Sequence, residues 1–130
     1  MLMMNAPHSA PETILDWPAG DVARHIRFMK DLNADLVASG EFVDGQGLAM
    51  PEHAVVVRAG DDGNPLVTDG PFAEAKEFVV GFWILETDTT ERAYQIAARI
   101  SLAPGPGGRP LHLPIEVREV MAAAPPTDLG

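Results

Sequence analysis

The most apolar run in the chain is Phe78-Val79-Val80-Gly81-Phe82-Trp83-Ile84-Leu85. Side chains alternate along a strand, so strict alternation puts Phe78, Val80, Phe82 and Ile84 on one face. Val79, Gly81, Trp83 and Leu85 take the other. Both faces are apolar, the pattern of a strand covered on both sides. Helical spacing governs the chain before and after it. Val22, Ile26, Met29, Leu32, Asn33 and Leu36 share one side of a wheel that keeps Arg24, Arg27, Asp31 and Asp35 away. His25 falls on the flank of that stripe. Asp21 is the predicted cap of this helix, which runs to about Ser39, and Gly40 is its stop. Asp88-Thr89-Thr90-Glu91 has capping-box spacing with Asp in the leading place. The helix it starts sets Ala93, Ile96, Ala97 and Ile100 on one face and ends near Leu102.

Shorter segments complete the order. Met1 to Met4 predict a first strand, and Asn5 to Gly20, with Pro7, Pro11 and Pro18, a long loop. Glu41-Phe42-Val43 begin a strand that Gly45-Gln46-Gly47 break or bulge, and Leu48 to Pro51 close the segment. His53 to Arg58 and Leu66 to Thr68 form a hairpin across the turn Asp61-Asp62-Gly63-Asn64-Pro65. Pro104 to Gly108 is a loop. Leu111, Leu113, Ile115 and Val117 alternate with His112, Glu116 and Arg118 as a half-buried last strand. The result is an α+β chain: a ferredoxin-like βαββαβ sandwich with an added hairpin and two helices on one sheet face. It forms one domain, residues 1–121, followed by a flexible tail from Ala122 to Gly130. Two helices cover one face of the central strand. A second copy, sheet against sheet, is the economical cover for the other, and a wider core within one subunit is the alternative.

Composition narrows the partners. Nine basic and 19 acidic residues leave a formal charge of −10, which repels a phosphate backbone and argues against direct nucleic-acid binding. No cysteine is present, so thiolate metal sites, disulfides and a Cys nucleophile are out. No apolar run reaches the roughly 18 residues of a membrane span. The short apolar Met1–Met4 lacks the basic leader of a secretory signal, which makes the cytoplasm the expected compartment.

Val67-Thr68-Asp69-Gly70-Pro71-Phe72-Ala73-Glu74-Ala75-Lys76-Glu77 closely resembles the signature of the YCII-related, or DGPF-domain, family. The likeness continues through Gly81-Phe82 and takes in His25, Gly45-Gln46-Gly47-Leu48 and the last strand. It implies the YciI-like dimeric α+β barrel. It also implies kinship with a ring-dehalogenating enzyme, with proteins that hold a His–Asp pair in a cleft, and with members encoded beside extracytoplasmic-function sigma factors. The chain departs from the usual pattern in its short first strand, its Pro-rich loop from Ala6 to Gly20 and Ala75 where Thr is common.

His25 and Asp69 are the candidate catalytic residues. An imidazole serves as general acid or base near neutral pH; on the flank of an apolar face, His25 is otherwise a core histidine with satisfied nitrogens. Asp69 is placed to orient it, while an Asp before Gly also accepts from its own turn backbone. Trp17, Phe72, Lys76 and Glu77 are the candidate ligand-binding residues. Their structural readings are packing for the two aromatics and an exposed ion pair for Lys76 and Glu77. His8, His25, His53 and His112 are too scattered for a metal site, and nothing points to a cofactor, haem included. Two functions follow. One is a cofactor-independent enzyme that isomerises, eliminates from or hydrolyses a cyclic or aromatic compound, with His25 moving the proton and Asp69 holding it in position. The other is a non-catalytic homodimer that binds a metabolite or a protein in regulation.

Overall fold

The structure, a computed structural model, describes residues 1–7, 16–70 and 77–121. Its elements are β1 (Leu2–Pro7), α1 (Ala19–Ala38), β2 (Phe42–Gly47), β3 (Val55–Ala59), β4 (Pro65–Asp69), β5 (Glu77–Leu85), α2 (Thr90–Ser101) and β6 (Ile115–Val117). Four strands form an antiparallel sheet in the order β2-β5-β1-β6, and β3 pairs with β4 in a separate hairpin. Two helices with an antiparallel sheet in this order agree with the ferredoxin-like expectation, hairpin included.

Both helices bury their apolar faces on one side of the sheet. Leu32 and Leu36 of α1 and Ile96, Ala97 and Ile100 of α2 close over Leu2, Met4 and Trp83. The predicted face of α2 holds. That of α1 holds at Met29, Leu32 and Leu36, but Ile26 is exposed and Phe28 also packs against the core.

The central strand departs from strict alternation. Along β1 and β5, Leu2 lies opposite Trp83 and Met4 opposite Gly81, but Asn5 lies opposite Val79 and Ala6 opposite Phe78. Val80 is the extra residue of a bulge, which changes the facing of everything before it. Phe78 and Val80 therefore share the helix side with Trp83, where Val80 packs on the core, and do not share a face with Phe82 and Ile84. Val79, Phe82 and Ile84, with Met3 opposite Phe82, are left on the other face.

Element ends differ from expectation in physically readable ways. β1 continues to Pro7 because β5 goes on pairing with it, Asn5, Ala6 and Pro7 lying opposite Val79, Phe78 and Glu77, while β6 pairs with Leu2 to Met4. α1 starts at Ala19 because the Pro18 carbonyl accepts from the backbone N–H of Asp21 and Val22. Asp21 is thus inside the first turn and caps nothing there. Its carboxylate takes Arg24 at 3.3 Å and the Gly107 N–H at 3.1 Å. The cap of α2 is Thr89, whose hydroxyl accepts from Arg92 N–H at 3.1 Å, with Asp88 one residue too early to reach. The bulge of β2 falls at Val43 and not at its glycines: Phe42 lies opposite Leu85 and Asp44 opposite Ile84, and Gly45, Gln46 and Gly47 pair regularly with Trp83, Phe82 and Gly81. β6 is only three residues long, since His112 adopts a positive φ of 50° that interrupts an extended ladder. Leu111 and Leu113 still turn inward.

One ion pair ties the sheet to α2. Arg92 donates to both oxygens of Glu41 at 2.9 Å, and Ser39 donates to Glu41 at 2.7 Å. These bonds, Arg92's first, hold the Glu41 carboxyl down at about 2. Among the described residues no helix is long and apolar enough to cross a membrane.

Candidate functional site

A cavity opens where the sheet lacks side chains. On its helix side Gly47 lies opposite Gly81, which lies opposite Met4, so two of three neighbouring positions carry no Cβ. A Cβ on Gly81 would sit 3.2 Å from the Gln46 carbonyl oxygen, and one on Gly45 would sit 3.2 Å from both Phe42 and Trp83. The next position along β1 is only Ala6, opposite Phe78. α1 cannot sink into this bare corner, because Trp83 and Met4 already hold it off the sheet. What remains is a volume of about 750 Å³ bounded below by Met4, Ala6, Val80 and Gly81. That is the size of a small-molecule site.

α1 supplies one wall through His25, Met29 and Asn33, spaced four residues apart and therefore stacked on one helix face. The His25 Nδ1 lies 2.9 Å from the Pro104 carbonyl oxygen. A carbonyl only accepts, so Nδ1 carries the proton, and in the neutral ring Nε2 holds a free lone pair. Nε2 has no partner among the described residues, and no buried side-chain nitrogen or oxygen there is left unsatisfied, so Nε2 is not sealed off, on a side chain that lines the cavity. Trp17 stands edge-on to the imidazole, with ring centres 5.5 Å apart at 84°, and fixes its plane. Deeper in, the Trp83 indole N–H donates to Asn33 Oδ1 at 2.9 Å. Among the described residues Glu52 is the one acidic side chain of the lining, and no Lys or Arg lines it.

The sequence candidates are thus divided. Trp17 and His25 meet at the cavity. Asp69 ends β4 opposite Val55, is exposed and does not line the cavity; the group that orients His25 is the Pro104 carbonyl. Glu77 opens β5 opposite Pro7, also exposed and outside the lining. Phe72 and Lys76, with the rest of the segment 71–76, lie outside the described residues, as do His8 and the tail 122–130. Sequence reasoning passed over Asn33, Met29 and the Gly47–Gly81 pair. A polar Asn within an apolar helical stripe was the available signal for the first of these.

The family model of the YCII-related domain matches residues 1–107. No curated protein matches the chain.

Proposed function

The chain belongs to the YCII-related family, and we propose that it is a small-molecule-binding homodimer in which His25 exchanges a proton with the bound ligand. One observation carries this reading: His25 lines a mostly apolar cavity with Nδ1 tied to a carbonyl, and Nε2 has no partner among the described residues. A base so oriented abstracts a proton from carbon or oxygen and returns it elsewhere, which is the chemistry of isomerisation or elimination and calls for no cofactor. Pro104 fixes the tautomer. Asp69, exposed on the hairpin, is left a supporting place at most. The homodimer is supported by the sheet face opposite the helices, where Met3, Val79, Phe82 and Ile84 present apolar side chains.

A regulatory binding module is the second reading. The β3–β4 hairpin favours it, since Val55, Val57, Leu66 and Val67 are each more than half exposed there.

His25→Asn separates the readings, because an Asn amide retains a donor toward Pro104 and removes Nε2. Uncharged compounds are first screened for thermal stabilisation of the wild type. Ligands that stabilise it are then incubated in D₂O and followed by proton NMR. Wild-type protein is expected to exchange a ligand C–H for deuterium, and His25→Asn to bind without exchanging. Equal exchange by both proteins removes His25 from the chemistry. Stabilisation that persists in Gly47→Leu, whose side chain fills the cavity, puts the ligand elsewhere.

A further inference from the structure

The Trp83–Asn33 bond settles more than packing. An indole N–H only donates, so the Asn33 oxygen must be the atom that faces it. The amide is therefore not free to flip, and its Nδ2 points away from Trp83 with two N–H groups. Nδ2 has no acceptor among the described residues, and it is not among buried unsatisfied atoms, of which there are none there. Asn33 lines the cavity. The cavity thus offers a fixed donor at one point and, at His25 Nε2, an acceptor at another. Both stand on α1, eight residues apart, or about 12 Å along the helix axis. Met29 lies between them, and Gly81 and Val80 lie below.

We infer that Asn33 is a specificity residue of this site and that the ligand is an uncharged, elongated, mainly apolar molecule with a carbonyl oxygen for Asn33 at one end and a hydroxyl for His25 at the other. The inference rests on the cavity being a ligand site, as proposed above. The carbonyl assignment follows from Nδ2 being able only to donate. The hydroxyl follows from the lone pair on Nε2. Neutrality follows from the lining: with no Lys or Arg among its described residues and Glu52 at its edge, an anion enters without a counter-charge. A ligand lacking the carbonyl leaves the amide dry and unpaired, which is how such sites reject near-neighbours.

Umbelliferone tests this directly. It is flat and, in mildly acidic buffer, uncharged, with a hydroxyl and a lactone carbonyl at opposite ends. Naphthol lacks the carbonyl, and umbelliferone-3-carboxylate, a derivative with an added carboxyl group, carries a negative charge. Affinities are measured by calorimetry, with quenching of Trp17 and Trp83, the chain's two tryptophans and both cavity residues, to place the probe. Wild-type protein is expected to bind umbelliferone about ten-fold more tightly than naphthol, the worth of one added hydrogen bond, and to bind the carboxylate more weakly than the parent. Asn33→Asp keeps an oxygen for the Trp83 N–H and deletes the donor. It is expected to cost umbelliferone about ten-fold and to leave naphthol unchanged. Equal affinity of the wild type for umbelliferone and naphthol overturns the inference without any variant, as does an equal loss for both in Asn33→Asp. Either result leaves the cavity a ligand site. If none of the probes binds, the ligand-site reading falls, and this inference with it.

Discussion

Trp83 is 6 % exposed and its indole N–H has Asn33 as its hydrogen-bond partner. Replacing Asn33 with Leu keeps the bulk and strands that N–H. An unpaired buried donor costs about 1–3 kcal/mol. Unfolding entropy near 2.1 cal/mol/K per residue, taken over a chain of this length, converts a loss of about 2 kcal/mol into a fall of roughly 7 °C in the thermal midpoint. Trp83→Phe removes the donor altogether, so Asn33→Leu made in that background strands nothing and is expected to cost near zero. The double-mutant cycle then shows a coupling of about 1–3 kcal/mol, well above the roughly 0.5 kcal/mol to which independent sites add. Urea unfolding followed by far-UV circular dichroism measures all four proteins at one fixed protein concentration, since assembly makes apparent stability concentration-dependent. If Asn33→Leu costs the same in the Trp83→Phe background as in the wild type, the bond contributes nothing. The fixed amide orientation then goes with it.

Three further outcomes are expected. Glu41 has a folded-state carboxyl at about 2 against an ordinary 4.5, so its stabilising effect is complete above 4.5 and drains away as pH falls toward 2; Glu41→Gln flattens acid unfolding in that window, and an unchanged acid curve contradicts the bidentate Arg92 pair. Leu32 is wholly buried beneath α1, so Leu32→Ala lowers unfolding stability by about 2–5 kcal/mol, and a loss under about 1 kcal/mol in chemical unfolding argues that the site collapses around the gap. Ile84→Glu, on the sheet face away from the helices, converts the protein to folded monomer in sedimentation velocity; a wild-type protein that is itself monomeric refutes the homodimer.

Patterning made the elements and their class readable because burial imposes its period directly. The α2 face came out as expected, since Ile96, Ala97 and Ile100 need no partner identity to be recognised as inward. A bulge leaves no such trace. The residues around Val80 are all apolar, so nothing in their alternation marks the one that is unpaired. The two-sided reading of β5 therefore misplaced Phe78 and Val80. Helix starts depend on which carbonyl accepts first, and Pro18 outranked the more conspicuous Asp21. The place of His25 on the flank of the inward face of α1 was legible from helix spacing. Its orienting carbonyl was not, because a backbone group from the loop after α2 has no side-chain signature. Asp69 drew attention through its motif, yet that motif is also sufficient explanation for a turn. The cavity was the least legible feature, since it is made by side chains that Gly47 and Gly81 do not have.

That floor of missing methyl groups makes the chamber's capacity adjustable by single letters of the chain. Among the described residues no heavy atom lies within 4 Å of where a Cβ on Gly47 would stand, so that position accepts successively larger residues without moving the backbone. Gly81 does not share this latitude, being pressed against the Gln46 carbonyl oxygen. The same scaffold can therefore be tailored to smaller guests from the β2 edge inward, while the tautomer lock at Pro104 and the amide lock at Trp83 stay as they are.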